Sequence, residues 1–142
     1  MGTNKRLATD AVVTLLGTLP SITTVVLVPS ETHIRRFEYE QADLPVAWIW
    51  AGEESVEYHP SVMSKNEFAL YIRVLGVSWI SDDTLIDSVE KAIRDAFGSN
   101  IRLSETAIAI SVKAVNNRQE SYPMVGRDIA SIISQSSSIQ DV

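Results

Sequence analysis

The chain contains no cysteine. Disulfides, thiolate metal sites and a cysteine nucleophile are therefore excluded together. The absence fits a reducing compartment, though exported proteins can lack cysteine as well. Long apolar runs are also missing, and none approaches the ~20 residues of a membrane-spanning helix. The opening Met-Gly-Thr-Asn-Lys-Arg carries two positive charges, but Asp10 breaks the stretch after them. The apolar piece at residues 11–16 is too short and too amphipathic for a signal peptide, so synthesis in the cytoplasm without export is expected. Basic residues are in deficit: 12 Lys and Arg stand against 18 Asp and Glu, a formal net charge of −6. Nonspecific nucleic-acid binding needs clustered basic residues, and the pair Arg35-Arg36 is too short to supply them.

Catalytic signatures are equally sparse. No Gly-x-Ser-x-Gly elbow occurs. Gly52, Gly76, Gly98 and Gly126 are scattered, which excludes a phosphate-cradling loop. The chain has two histidines, His33 and His59. His59 lies near Glu53 and Glu54 in a polar stretch, yet the spacing matches no metal-ligand motif, and a solvated loop histidine is the better reading. His33 sits beside Arg35 and Arg36, which disfavours a bound cation. The pairs Asp82-Asp83 and Glu53-Glu54 read as a helix cap and a solvated turn. No catalytic residue, cofactor or metal site is expected.

What is present is an ordinary globular composition, 45% hydrophobic and 21% charged over 142 residues. That length fits one domain burying roughly two-thirds of its unfolded surface. The organising stretch is residues 67–98. Phe68, Leu70, Ile72 and Val74 alternate with Ala69, Tyr71, Arg73 and Leu75, the period of a strand with one buried face. Leu85, Val89, Ile93 and Phe97 then fall four apart, with Ile86, Ala92 and Ala96 widening a helical stripe. Ser81 or Asp82 can cap its start. Gly98 suits a left-handed C-terminal position. Beyond Val74 the apolar phase shifts to Val77 and Trp79; either a β-bulge at Gly76 or burial of both faces explains it.

The flanks complete the pattern. Residues 5–19 read as a helix ended by Pro20. Residues 22–28 are β-branched and read as a strand. Residues 34–40 read as an exposed extended arm. Leu44-Pro45 opens a strand at residues 46–50, residues 51–54 turn the chain, and residues 53–66 form a long polar connection. Residues 106–115 make another strand, with Ile108, Ile110, Val112 and Ala114 on one face, followed by a turn at Asn116-Asn117. Residues 124–133 suit a last strand better than a helix. Residues 134–142 read as a frayed Ser/Gln-rich tail. The expectation is a single α+β domain over residues 1–133: a mostly antiparallel sheet of four to six strands, with two helices packed on one face.

Trp48 and Trp50 share one strand face. A core position is preferred to an exposed stacking platform, and a subunit interface is a third option. Tyr71 and Arg73 lie opposite the apolar face of their strand, too apolar a set for solvent and too polar for a core, as on a sheet surface covered by another subunit.

The order of elements resembles the tail terminator (tail completion) proteins of long-tailed bacteriophages. The resemblance rests on the N-terminal helix, the strand Leu44-Pro45-Val46-Ala47-Trp48-Ile49-Trp50 and the acidic Gly52-Glu53-Glu54. It continues through Phe68-x-Leu70-x-Ile72-x-Val74, an acidic cap, the helix from Leu85 and two closing strands, covering about residues 5–133. It implies a virion structural protein made in the host cytoplasm, a non-enzyme placed at the head-proximal end of the tail. It implies a homohexameric ring that caps the tail tube, stops its polymerisation and offers a surface for head–tail joining. The implied partners are other copies of the chain, the tail tube protein and a head-completion or connector protein, with neither nucleic acid nor membrane. Interface candidates are Tyr71, Arg73, Arg35, Arg36 and Trp50. Docking-loop candidates are Glu53, Glu54, Tyr58, His59 and Lys65. The alternatives are a head–tail connector, neck or minor tail protein, or a small oligomeric ligand-binding or enzymatic domain using Trp48, Trp50 and His59.

Overall fold

The computed structural model describes residues 3–34, 44–58, 63–78, 84–121 and 123–138. Helix α1 spans Thr3–Gly17, strand β1 Thr24–Leu27, β2 Val46–Tyr58, β3 Met63–Val77, helix α2 Thr84–Ser99, β4 Ala109–Arg118 and β5 Met124–Ser138. The strands form one sheet in the order β1-β2-β3-β5-β4. Only β1 and β2 run parallel; the other pairs are antiparallel. The expected α+β class is thus the observed one.

The two helices cover one face. Ala8, Val12 and Leu16 of α1 and Ile86, Val89, Ile93 and Phe97 of α2 form one buried cluster with Ala47, Ile49, Phe68, Leu70, Ile72, Val74, Ile129 and Ile133. Those spacings, four along the helices and two along the strands, are the ones that turn apolar side chains inward. The opposite face carries a smaller cluster of Val28, Val46, Trp48, Trp50 and Leu75. Val74 and Leu75 are therefore both buried, on opposite faces. No bulge occurs at Gly76, since the register with β5 runs unbroken from Leu75↔Gly126 to Val77↔Met124. Double-sided burial explains the shift of apolar phase.

Several expectations for polar stretches are corrected. Residues 51–54 do not turn the chain: β2 continues to Tyr58, and a register shift between Ala51 and Glu54 absorbs the irregularity. The supposed connection at residues 53–66 is a hairpin, with Tyr58 opposite Ser64. Asn116 and Asn117 lie within β4, paired with Asp128 and Arg127. The strand β5 continues to Ser138, past the expected tail boundary, with Ser134 to Ser138 paired to Glu67 to Met63.

A second register shift, between Val112 and Ala114, changes which β4 side chains face the core. Ile110, Val112 and Val115 pack inward, whereas Ala114 does not. Ile108 lies before the strand and is exposed; Ala107 is buried in its place. Gly98 is an ordinary helical residue, and no described glycine has a positive φ. The end of α2 is closed by Asn100, whose amide donates to the Ala96 carbonyl at 2.9 Å. Positive φ falls instead on Leu103, Ser104 and Glu105, at 46°, 56° and 68°. Trp79, Ser81, Asp82 and Asp83 lie outside the described residues, as does the expected arm beyond Ile34.

Candidate functional site

The outer face of the sheet carries a concentrated set of aromatic and charged side chains. Trp50 of β2 stands directly opposite Tyr71 of β3. Their rings stack with centroids 5.5 Å apart and an interplanar angle of 26°. Such a pair contributes about 0.5–1.5 kcal/mol beyond its buried area. Two residues along β3, the Arg73 guanidinium lies 5.4 Å from the Trp50 ring centroid, in cation–π range.

Arg73 is only 6% exposed. Its Nε donates to Asp128 Oδ1 at 2.9 Å and its Nη2 to Glu31 Oε1 at 2.8 Å. Arg118 joins the same group by donating to Asp128 Oδ2 at 3.2 Å and, at 3.4 Å, to Glu120. Burial opposes the charge of Arg73, but the hydrogen bonds and attraction of Asp128 and Glu31 outweigh it and raise its pKa above the ordinary arginine value. Beside this network lies a recess of about 430 Å³ bordered by Glu31, Trp50, Tyr71, Arg73, Asn116 and Asp128.

The sheet places the other candidates apart from this recess. Trp48 is buried on the same face, under the smaller apolar cluster, as the core reading expected. Glu53 and Glu54 are exposed around the register shift of β2. Glu54 accepts a hydrogen bond from the Asn66 amide at 3.2 Å. Beyond Ile49, no described strand pairs with the outer edge of β2, because β1 ends there. Tyr58 and Lys65 are strand residues of the hairpin, paired with Ser64 and Glu57. His33 is exposed on a three-residue 3-10 turn at Glu31–His33, where its Nδ1 lies 2.9 Å from the Ser30 hydroxyl. Arg35, Arg36 and His59 fall outside the described residues. Among the described residues, no cluster of three or more His, Cys, Asp or Glu is arranged to hold a metal ion.

The sequence pattern gave no sign of the partners of Arg73. Glu31, Arg118 and Asp128 come from three separate segments, a 3-10 turn and two strands, and only the tertiary fold brings them together. A second network was missed for the same reason. Arg127 of β5 donates to Asp87 and, at 2.7 Å, to Glu90 of α2, and its Nε donates to Asn117 at 2.8 Å. The signal that could have found it is the spacing of Asp87 and Glu90, three apart on one helix side.

No protein-family model and no curated protein matches this chain. A solved structure does: a chain of the "Virion of native gene transfer agent (GTA) particle" superposes with a TM-score of 0.53 at 15% identity, covering 89% of this chain and 84% of that one. At that identity the likeness is one of fold.

Proposed function

We propose that the protein is a virion structural protein of a phage-type particle, and specifically a tail terminator. In this reading it forms a ring, six-membered as in the family it resembles, on the end of the tail tube. The ring stops tube growth and presents its other face to the head-completion or connector protein. No reaction is catalysed; the chain acts by complementary shape and charge. The observation that carries the proposal is the nearly full-length fold likeness to a chain of a gene transfer agent virion. The order of elements, which resembles that of tail terminators at the sequence level, supports the finer assignment. The β2–β3 hairpin, with exposed Glu53 and Glu54 on an edge that no described strand pairs, is a suitable docking arm.

Native mass spectrometry of the purified protein over a concentration series tests the ring: six-copy assemblies are expected. Adding the protein to polymerising tail tube protein tests the cap, and tubes should shorten as its proportion rises. Unchanged tube length would refute the terminator assignment. Binding to connector but not to tube protein would favour the connector or neck reading. The recess beside Trp50 and Tyr71 favours a second class of reading, ligand binding by a small oligomeric domain. A monomer or dimer that stays so at high concentration would support it.

A further inference from the structure

The recess on the outer face takes its shape from strand register. Cross-strand partners share one face of a sheet. One row across β2, β3, β5 and β4 therefore reads Trp50, Tyr71, Ala130 and Ala114, and the next reads Trp48, Arg73, Asp128 and Asn116. In the first row two large rings stand beside two alanines. The step between them opens the recess of about 430 Å³, which Trp50, Tyr71 and Ala130 border. That volume lies within the range of pockets that hold small molecules.

The polar side of the recess comes from the second row and from the turn after β1. Arg73, Asp128 and Asn116 border it, and Glu31 joins them from its 3-10 turn. Several of their polar atoms are uncommitted. Arg73 spends Nε and Nη2 on Asp128 and Glu31, so Nη1 carries no hydrogen bond among the described residues. Glu31 gives Oε1 to Arg73, and its Oε2 accepts none among those residues. The Glu31 side chain is 58% exposed and so open to a ligand. Asn116 is exposed as well, and its amide, which can both donate and accept, forms no hydrogen bond among the described residues. The donor is held in place, because Arg73 is buried and bonded to Asp128 through two nitrogens. Little ordering is then needed on binding.

These groups select the charge of an occupant. A cation would gain from Glu31 and the aromatic wall but would meet Arg73. An anion would gain from Arg73 but would meet Glu31 and Asp128. A neutral molecule with its own acceptor and donor satisfies Arg73 Nη1 and Glu31 Oε2 together and repels neither. The wall of Trp50 and Tyr71 adds a preference for a flat body.

We propose that the recess binds a small, neutral, flat heterocycle with adjacent C=O and N–H groups on one edge, a lactam of the pyrimidinone or purinone kind. The C=O accepts from Arg73 Nη1, the N–H donates to Glu31 Oε2, and the ring lies against Trp50 and Tyr71. This deepens the ligand-binding reading above, rests on it and names the chemistry of the ligand.

Four probes of one shape and different edges test it by isothermal titration calorimetry on the full chain at neutral pH. They are isoquinolone, a neutral lactam; isoquinoline, with neither N–H nor C=O; naphthoate, an anion; and naphthylmethylamine, a cation. Isoquinolone should bind at least about tenfold more tightly than each of the others, since a site that hydrogen-bonds a ligand group rejects the analogue lacking it. Ala130→Leu fills the recess without touching a charge; it should abolish lactam binding and leave the circular dichroism spectrum unchanged. Glu31→Gln keeps a bond to Arg73 possible but removes the negative charge. It should weaken isoquinolone about tenfold and strengthen naphthoate, a reversal that mere loosening of the structure would not give. Equal affinities for the four probes, or lactam binding unchanged in Ala130→Leu, would overturn the inference. If Ala130→Leu does not fold, the probe series on the parent protein decides alone. Tighter binding of naphthoate or of the amine by the parent would overturn the inference and leave the ligand-binding reading standing. Binding of none of the four would overturn both. Six-copy rings that bind isoquinolone would retain the site and refute only the monomer-or-dimer form of that reading.

Discussion

Arg127 shows how a charged side chain survives almost complete burial. It is 7% exposed; its Nη1 donates to Asp87 and Glu90 and its Nε to Asn117. Burial alone would lower its pKa, but the bonds and attraction of the two carboxylates raise it above the ordinary arginine value. A raised folded pKa means that the stabilisation is fully present below the unfolded value and is lost only as pH climbs through the folded one. Arg127→Met keeps the apolar stem and removes the charge. It should lower stability by about 1–3 kcal/mol, discounted because Asp87 is solvent-exposed. Urea unfolding should show the same loss throughout the neutral pH range; a loss that varied there would contradict this account.

Gly52 marks a close approach of another kind. A Cβ there would lie 2.5 Å from Tyr71 Cε2 and 3.2 Å from Ala69 Cβ. Gly52→Ala should push the Tyr71 ring off Trp50, weaken the near-ultraviolet circular dichroism of the pair and cost about 1–2 kcal/mol. An undisturbed aromatic signal would show that Tyr71 yields freely. Arg73 is similarly constrained. A charge-reversing Arg73→Glu would place a third carboxylate against Asp128 and Glu31. It is expected to destabilise the subunit itself, so it is a poor probe of assembly.

Among the elements, the buried ones were legible and the polar ones were not. β3 and α2 announce themselves because one face of each must meet the core, and burial imposes a period of two or of four. The β2–β3 hairpin has no such constraint over Glu53, Glu54 and Ser55, which are exposed. Its register is set by pairing with neighbouring strands, including Ser134 to Ser138 of β5, and pairing between backbones leaves little trace in side-chain pattern. For the same reason, a deletion spanning residues 58–65 would remove the paired strand residues Tyr58, Ser64 and Lys65. A gentler change tests docking. Glu53→Gln with Glu54→Gln keeps the exposed positions polar and the Asn66 contact possible. It should leave the unfolding free energy within about 0.5 kcal/mol of the parent yet weaken co-sedimentation with tail tube protein. Unchanged co-sedimentation would remove these two residues from the docking surface.

At the scale of the whole molecule, β3 is the keystone: it pairs along its length with β2 and β5, and apolar clusters lie on both of its faces. Local opening should therefore be hardest there. Amide hydrogen exchange should be slowest at Leu70, Ile72 and Val74 and faster along β4, an edge strand with a register shift at its middle. Faster exchange in β3 than in β4 would contradict the assigned strand order.

The sequence by itself determined the class of fold, the core faces of α2 and β3, and the absence of thiol chemistry. Each of these follows from local composition or from a short-range period that burial enforces. Only the tertiary structure decided which distant charges meet. Arg73, Arg118 and Asp128 come together because β3, β5 and β4 lie side by side, and Glu31 joins them from the turn after β1, an arrangement that no local pattern encodes. It likewise decided that polar residues beyond 50 and beyond 133 continue as strands, since backbone pairing can order a segment that has nothing apolar to bury.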